Sequence, residues 1–337
     1  MATLKDVAEL AGVGLGTASR VVSGNGSVSK ATAEKVRAAI EQLGFAPSHA
    51  ARSLMLGNSQ TIGVYIPYMT GTFFSPFLAM IYGELRDAGL NMVVAFGSGN
   101  LDERSQVREG IDFLNKRGCD GVIALTVALQ EEDIATLGVR SSRLVLLNHA
   151  LAALPGQCFT VDHPLGGRMA ARALLDLGHR DFAVIAGPRS AIDNVERVSG
   201  FLGELAEDGI DVDGVWVSAS DFSPAGGRSA ARELVESGYP FTALFCANDD
   251  MAMGALSCLH QAGIAVPAKV SVLAYDDTAS AEFAAPRLSS VHMPWEEMTL
   301  NGLNRLLNLC YGGERPTDGA QPVSVTLRDS VGPCSAL

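Results

Sequence analysis

The stretch Thr3-Leu4-Lys5-Asp6-Val7-Ala8-Glu9-Leu10-Ala11-Gly12-Val13-Gly14-Leu15-Gly16-Thr17-Ala18-Ser19-Arg20-Val21-Val22 decides how the N-terminus of this 337-residue chain is read. Thr3 is placed to cap a helix with Asp6 at its N3 position, and Gly12 to stop it, so 3–12 predicts one short helix. Leu4, Val7, Ala8, Leu10 and Ala11 recur at near-helical spacing and give it an apolar face. Val13 is an apolar plug in the turn. Leu15–Val22 predicts a second short helix, and two short helices about a glycine-containing turn make a helix-turn-helix. A third starts at Ser29, has Thr32 three residues on, keeps Val36, Ala39, Ile40 and Leu43 on one face, and stops at Gly44. Gly12-x-Gly14-x-Gly16 is no dinucleotide fingerprint, because no apolar strand leads into it.

Charge divides the chain in the same place. The formal total is −12. Residues 1–60 hold six Lys and Arg against four Asp and Glu, a net +2, which leaves −14 on the remainder. A small, mildly basic head precedes a large acidic body. With 47% apolar and 18% charged residues the chain has material for sizeable cores, which excludes a disordered or collagen-like polymer. Its length corresponds to about two domains, with three possible. No apolar run reaches the ~18 residues of a membrane span. Charges stand where a secretion signal needs its apolar segment, so a cytoplasmic protein is expected. The cysteines are scattered without a CxxC pair, and Cys246 and Cys258 read as small core residues in a reducing compartment. The histidines form no HxxxH. No metal site and no cofactor are predicted.

From Thr61 onward short apolar runs alternate with amphipathic stretches. Strands are expected at Ile62–Ile66, Met92–Phe96, Gly121–Leu125, Leu144–Asn148, Phe182–Ala186, Val215–Ser218, Ala243–Ala247 and Val270–Ala274. Helices are expected between most of them, as at Phe77–Ala88, Gly166–Leu177 and Ala225–Glu236. Such alternation with buried strands indicates doubly wound parallel sheets in two α/β lobes, which bind ligands beyond the carboxyl ends of their strands. Catalysis finds little support. Glu131–Glu132 and Glu296–Glu297 read as solvated helix surface, no G-x-S-x-G elbow is present, and neither Gly118-x-x-Gly121 nor Gly166-Gly167 makes a dinucleotide site.

The opening stretch, with the following Val28-Ser29, Thr32 and Val36 and the run Gly44-Phe-Ala-Pro-Ser-His-Ala-Ala-Arg-Ser-Leu54, resembles the headpiece of the LacI/GalR family of bacterial transcription regulators. The resemblance continues through about Asp329, in Val161-Asp-His-Pro-Leu-Gly-Gly167, Glu196-Arg-Val-Ser-Gly-Phe201, Cys246-Ala-Asn-Asp-Asp250, Val270-Ser-Val-Leu-Ala-Tyr-Asp-Asp277 and Leu288-Ser-Ser-Val291. Galactose and aryl-β-glucoside regulators look nearest within the family. The resemblance implies a small all-α headpiece over 1–47, a hinge helix and linker over 48–60, and a periplasmic-binding-protein-type core over 61–330. The core's N-lobe would take 61–161 and 292–323, and its C-lobe 162–291 and 324–330.

By that resemblance, Leu15–Val22 is a recognition helix entering the major groove. Leu15 and Gly16 fall on the main specificity positions. Thr3, Thr17, Ser19, Ser23, Ser29 and Thr32 are DNA-binding candidates of the hydroxyl type, suited to phosphate anchoring, and Arg20 suits guanine. Ala51 and Leu54 match the hinge pair, with Leu54 an apolar wedge in the minor groove. Three positions depart from the pattern: Gly14 replaces a Ser cap, Ala18 a Val, and Gly16 has no side chain. Leu15 is left with apolar contacts such as a thymine methyl.

In the body the resemblance implies that Arg197, Asn248 and Asp276 ligate sugar hydroxyls and that Asn148 is a further polar ligand. Phe74, Phe222 and Trp295 flank the ligand, the last two on either side of the cleft. Phe73 and His149 are weaker members, while Asp249, Asp250 and Asp277 cap helices or pack locally. The expected protein is a sugar-released repressor that reads a pseudo-palindromic operator as a homodimer, with no membrane partner. The alternatives are a purine or other non-sugar effector, or a sugar-binding protein or enzyme without a DNA role.

Overall fold

The computed structural model describes residues 2–23, 27–45, 57–69, 73–97, 102–317 and 322–334. The hinge candidates Ala51 and Leu54 lie outside them.

Three helices form the head: α1 (Leu4–Ala11), α2 (Leu15–Ser23) and α3 (Lys30–Leu43). Thr3 and Asp6 make the reciprocal capping box, with the Asp6 backbone N–H donating to Thr3 Oγ1 and the Thr3 N–H to the Asp6 carboxylate. Ser29 caps α3 by accepting from the Thr32 N–H, and Gly12 and Gly44 end α1 and α3 in the left-handed conformation that glycine adopts without a Cβ clash. The helices close on a small core of Val7, Ala8, Ala18, Val36 and Ala39, against which Val13 packs. Ala18, where the family pattern has Val, is fully buried in it.

The body holds two sheets. The first has the order β2-β1-β3-β4-β5, from β1 (Thr61–Ile66), β2 (Asn91–Phe96), β3 (Gly121–Leu125), β4 (Leu144–Leu147) and β5 (Cys158–Phe159), all parallel. Around it lie α4 (Phe74–Asp87), α5 (Glu103–Lys116) and α6 (Glu131–Leu137). The second has the order β11-β10-β9-β8-β6-β7, from β6 (Phe182–Ala186), β7 (Trp216–Ala219), β8 (Ala243–Cys246), β9 (Ser271–Asp276), β10 (Ser289–His292) and β11 (Ser324–Thr326), of which only β11 is antiparallel. Its helices are α7 (His163–Leu175), α8 (Ile192–Glu207), α9 (Pro224–Ser237), α10 (Asp249–Gln261) and the short α11 (Ala279–Glu282). The chain passes from the first lobe to the second between β5 and α7. It returns after β10 to lay α12 (Trp295–Tyr311) against β3, β4 and β5, and crosses again to β11. Such shared crossings tie each lobe to the other's core.

Three strands escape the periodicity reading: β5, β10 and β11. They are short, and β10 is polar although buried, because its serines have tertiary partners. The Ser289 N–H donates to Ser330 Oγ, and Ser290 Oγ donates to the Asp249 carboxylate. α4 starts at Phe74, three residues earlier than expected, since Pro76 falls in the first turn where its missing N–H costs nothing. β4 ends at Leu147 because Asn148 turns to φ 61. α7 and α8 approach closely at glycines: a Cβ on Gly167 would meet the Arg197 carbonyl, and one on Gly200 the Pro164 carbonyl. That contact brings His163 against Arg197.

Candidate functional site

Where the carboxyl ends of the two sheets face each other the structure encloses a cavity of about 380 Å³. This lies within the range of small-ligand sites. The first lobe contributes Tyr68 and the Leu125–Ala128 turn, the aromatic trio Phe73, Phe74 and Trp295, and Asn148 at the end of β4. The second contributes Asp193 and Arg197 from α8, Phe222 after β7, Asn248 after β8 and Asp276 at the end of β9.

Arg197 organises the polar floor. Its guanidinium is 3% exposed, and every face of it is engaged. Nη1 donates to the Ala247 carbonyl at 2.8 Å and lies 3.2 Å from Asp276 Oδ1, while Nη2 lies 3.3 Å from Asp193 Oδ2. Its carbon sits 4.1 Å from the centre of the Tyr275 ring, a cation–π contact. Nε donates to His163 Nδ1 at 3.3 Å. Because an arginine only donates, Nδ1 carries the lone pair and the histidine proton sits on Nε2, 2.8 Å from Asn148 Oδ1. The Asn148 amide is oriented by that bond, and its Nδ2 donates to Asp193 Oδ2 at 2.9 Å.

Burial and the neighbouring Arg197 charge hold His163 down at about 2, so it is a neutral relay. Burial drives Asp276 well above the ordinary carboxylate range, with Arg197 pulling it back. Burial likewise takes Asp249 to about 6, although its carboxylate accepts from Ser290 Oγ and from the Thr278 N–H and hydroxyl.

Strain concentrates here as well. Among the described residues five non-glycines have positive φ, and three of them, Asn148 (61°), Phe222 (64°) and Asp276 (109°), line this cavity. For a bulky Phe that conformation is costly, and such strain clusters at ligand sites in proteins. Phe222 fits because its ring covers the position a Cβ on Gly187 would need.

All seven ligand candidates read from the sequence, Phe74, Asn148, Arg197, Phe222, Asn248, Asp276 and Trp295, line the one cavity, and Phe73 joins them, edge-on to Trp295 with ring centres 4.7 Å apart. His149 does not; its Nε2 pairs with the Leu129 carbonyl at 2.8 Å. Asn248 serves largely as a cap, since Oδ1 accepts from the Met251 N–H and Nδ2 donates to the Phe222 carbonyl. Asp277 packs locally on Arg328 at 2.6 Å. Sequence reasoning passed over Asp193 and His163. Asp193 lies four residues before Arg197, the helical spacing of an ion pair, and that signal was legible. His163 was not, because its partners come from three separate elements.

In the head, Leu15 is 53% exposed, Gly16 and Arg20 are exposed, and Thr17, Ser19 and Ser23 are half-buried, so the N-terminal turn of α2 offers an apolar, donor-poor tip. Thr3, Ser29 and Thr32 hydroxyls sit at helix starts.

Residues 3–48 match the model of bacterial regulatory proteins of the lacI family, and residues 171–331 the periplasmic binding protein-like domain. The regulator AscG of Escherichia coli K12 is 33% identical over 317 residues, covering 93% of this chain and 94% of AscG. The chain belongs to the LacI family. Like other members it is a DNA-binding transcription regulator with a helix-turn-helix head and two parallel-sheet lobes. The lac repressor dimer bound to operator and the anti-inducer ONPF superposes with a TM-score of 0.84 at 28% identity, covering 98% of this chain and 99% of that one. A complex of the LacI-family regulator CelR with cellobiose gives 0.68 at 30% identity, covering 98% and 100%. No helix of the described residues is long and apolar enough to cross a membrane.

Proposed function

We propose that this regulator represses carbohydrate-use genes by holding a pseudo-palindromic operator as a homodimer in the cytoplasm, and that a sugar bound between the lobes releases it. One observation carries the sugar reading. The cavity sets an aromatic wall of Phe73, Phe74 and Trp295 against a floor of carboxylates and amide groups, and a pyranose has one apolar face and a ring of hydroxyls. Related regulators solved with operator and with cellobiose support it. Phe74, Asn148, Phe222, Asn248, Asp276 and Trp295 are the proposed effector contacts, with Arg197 beside them holding the Asp193 and Asp276 carboxylates toward the ligand. Leu15, Gly16, Thr17, Ser19 and Arg20 are the proposed operator contacts, with Ala51 and Leu54 from the hinge.

The Asn148–Asp193 bond joins the lobes, so a ligand entering between them competes with it and shifts the lobes' relative population. Release of operator by sugar then requires, by linkage, that operator weaken sugar binding. The acidic body repels DNA and confines contact to the head, whose cations release counterions on binding, so operator affinity should fall with salt by a slope set by the number of those contacts. Phe283, which follows α11 and is 84% exposed in the single chain, is the proposed contact between the two copies.

The test is a thermal-shift panel of sugars, glycosides, sugar phosphates and purines, followed by operator release with any hit. At about 100 times its dissociation constant a ligand stabilises the core by about 2.7 kcal/mol. A purine alone as the hit would overturn the sugar.

A further inference from the structure

The charges lining the cavity are unequal. Among the described residues that line it, five are acidic, Glu103, Asp193, Asp249, Asp250 and Asp276, against one cation, Arg197. Arg197 has no donor to spare, because its N–H groups point at Asp193, Asp276, His163, the Ala247 carbonyl and the Met293 sulfur. It balances two of the acids and leaves nothing for a ligand anion. Asp249 is satisfied by Ser290 and Thr278. Among the described lining residues no cation other than Arg197 stands beside Asp250 and Glu103.

One buried atom lacks a donor. Asp193 and Asp276 are each 7% exposed; Asp193 Oδ1 has no hydrogen-bond partner, although its Oδ2 holds Asn148 and Arg197, and Asp276 Oδ1 has only the ion pair with Arg197 Nη1 at 3.2 Å. A buried acceptor without a donor costs free energy until a ligand supplies one. Tyr68, on the same cavity, feels the acidic field. Loss of solvent, then Asp276, Asp250, Asp193 and Glu103, push its phenol up to about 12.

We infer that the effector is a sugar carrying a basic amine, its hydroxyls donating to Asp193 and Asp276 Oδ1 and its ammonium facing the Asp250 and Glu103 side of the cavity. A phosphorylated or uronic sugar meets net repulsion there, and a neutral one leaves that side uncompensated. The same carboxylates raise the ligand amine's own pKa and keep it charged on binding. This inference rests on the proposal that the cleft holds a sugar.

The experiment is calorimetric titration of the full-length protein with matched pairs: glucose and glucosamine, galactose and galactosamine, cellobiose and its diamino counterpart, with glucose 6-phosphate as the anion. At least one amine binds about tenfold or more tightly than its hydroxyl partner, its advantage shrinks as salt rises, and the phosphate is the weakest of the glucose series. Asp250→Asn, an isosteric change at a half-buried position, cuts the amine-to-hydroxyl ratio by about tenfold. Neutral sugars binding as well as or better than their amines overturn the inference and leave the sugar reading standing, and so does a phosphate that binds best. An amine preference untouched by salt and by Asp250→Asn overturns the placement. Silence from every sugar, with a purine binding, overturns the sugar reading itself.

Discussion

Asn148 Nδ2 donates to Asp193 Oδ2 over 2.9 Å, and this bond ties the end of β4 in one lobe to the first turn of α8 in the other. The Asn148 amide is locked in turn by His163, and His163 by Arg197, so the lobe contact inherits its geometry from a buried chain of four side chains. Within it every donor and acceptor that joins one side chain to the next is paired, and breaking any one link strands a buried partner.

Asn148→Ala removes a partner from both His163 Nε2–H and Asp193. The expected loss is about 1–3 kcal/mol of core stability, read from urea denaturation curves. A loss below about 0.3 kcal/mol would mean that water replaces the amide without penalty.

Acidification gives a sharper test of His163. An unperturbed histidine takes up its proton near 6.5, and the buried one only at about 2. Between those values the unfolded chain binds one more proton, so this group's contribution to stability falls with falling pH by up to about 1.4 kcal/mol per unit. Asp249, raised to about 6, acts in the opposite sense as pH drops from about 6 to 3.8. Comparison with His163→Asn cancels Asp249, which both proteins keep. Denaturation at pH 7 and pH 5.5 should show the variant losing less stability than the parent; equal losses would place the proton elsewhere.

The chain has two tryptophans, Trp295 on the cavity wall and Trp216 on β7 beside Tyr239. A ligand-induced change in fluorescence should vanish in Trp295→Phe and persist in Trp216→Phe. The reverse pattern would remove Trp295 from the site.

Gly16 sits on α2 with open space where a Cβ would go. Gly16→Ala, in the first turn, should stabilise α2 by less than the about 1 kcal/mol of an interior position, measured as slower amide hydrogen exchange in that helix. It should also change operator preference, because a methyl would then stand at a proposed base-reading position. Unchanged preference would shift readout to Leu15 and Arg20.

Phe283→Glu should convert the proposed dimer to monomer in sedimentation, while leaving the fold intact, since this side chain is 84% exposed within one chain. A variant that stays dimeric places the interface on another surface.

The sequence by itself determined the local features: the capping box at Thr3 and Asp6, the glycine stops at Gly12 and Gly44, and the buried runs of β1, β3, β6 and β8. These follow from neighbours within a few residues, where capping chemistry and hydrophobic period act. Motif positions carried the cleft candidates too, because each of Asn148, Asn248 and Asp276 stands at the end of an apolar run. Only the tertiary structure decided what those side chains do. It made Asn248 a cap, spent every donor of Arg197 inside the protein, and turned His149 away from the cavity while placing His163 at the centre of the relay. It also made β10 a strand, by giving buried serines partners some forty residues distant. A buried polar side chain is stable only where a donor or acceptor meets it, and that partner is set by packing between elements rather than by any spacing along the chain.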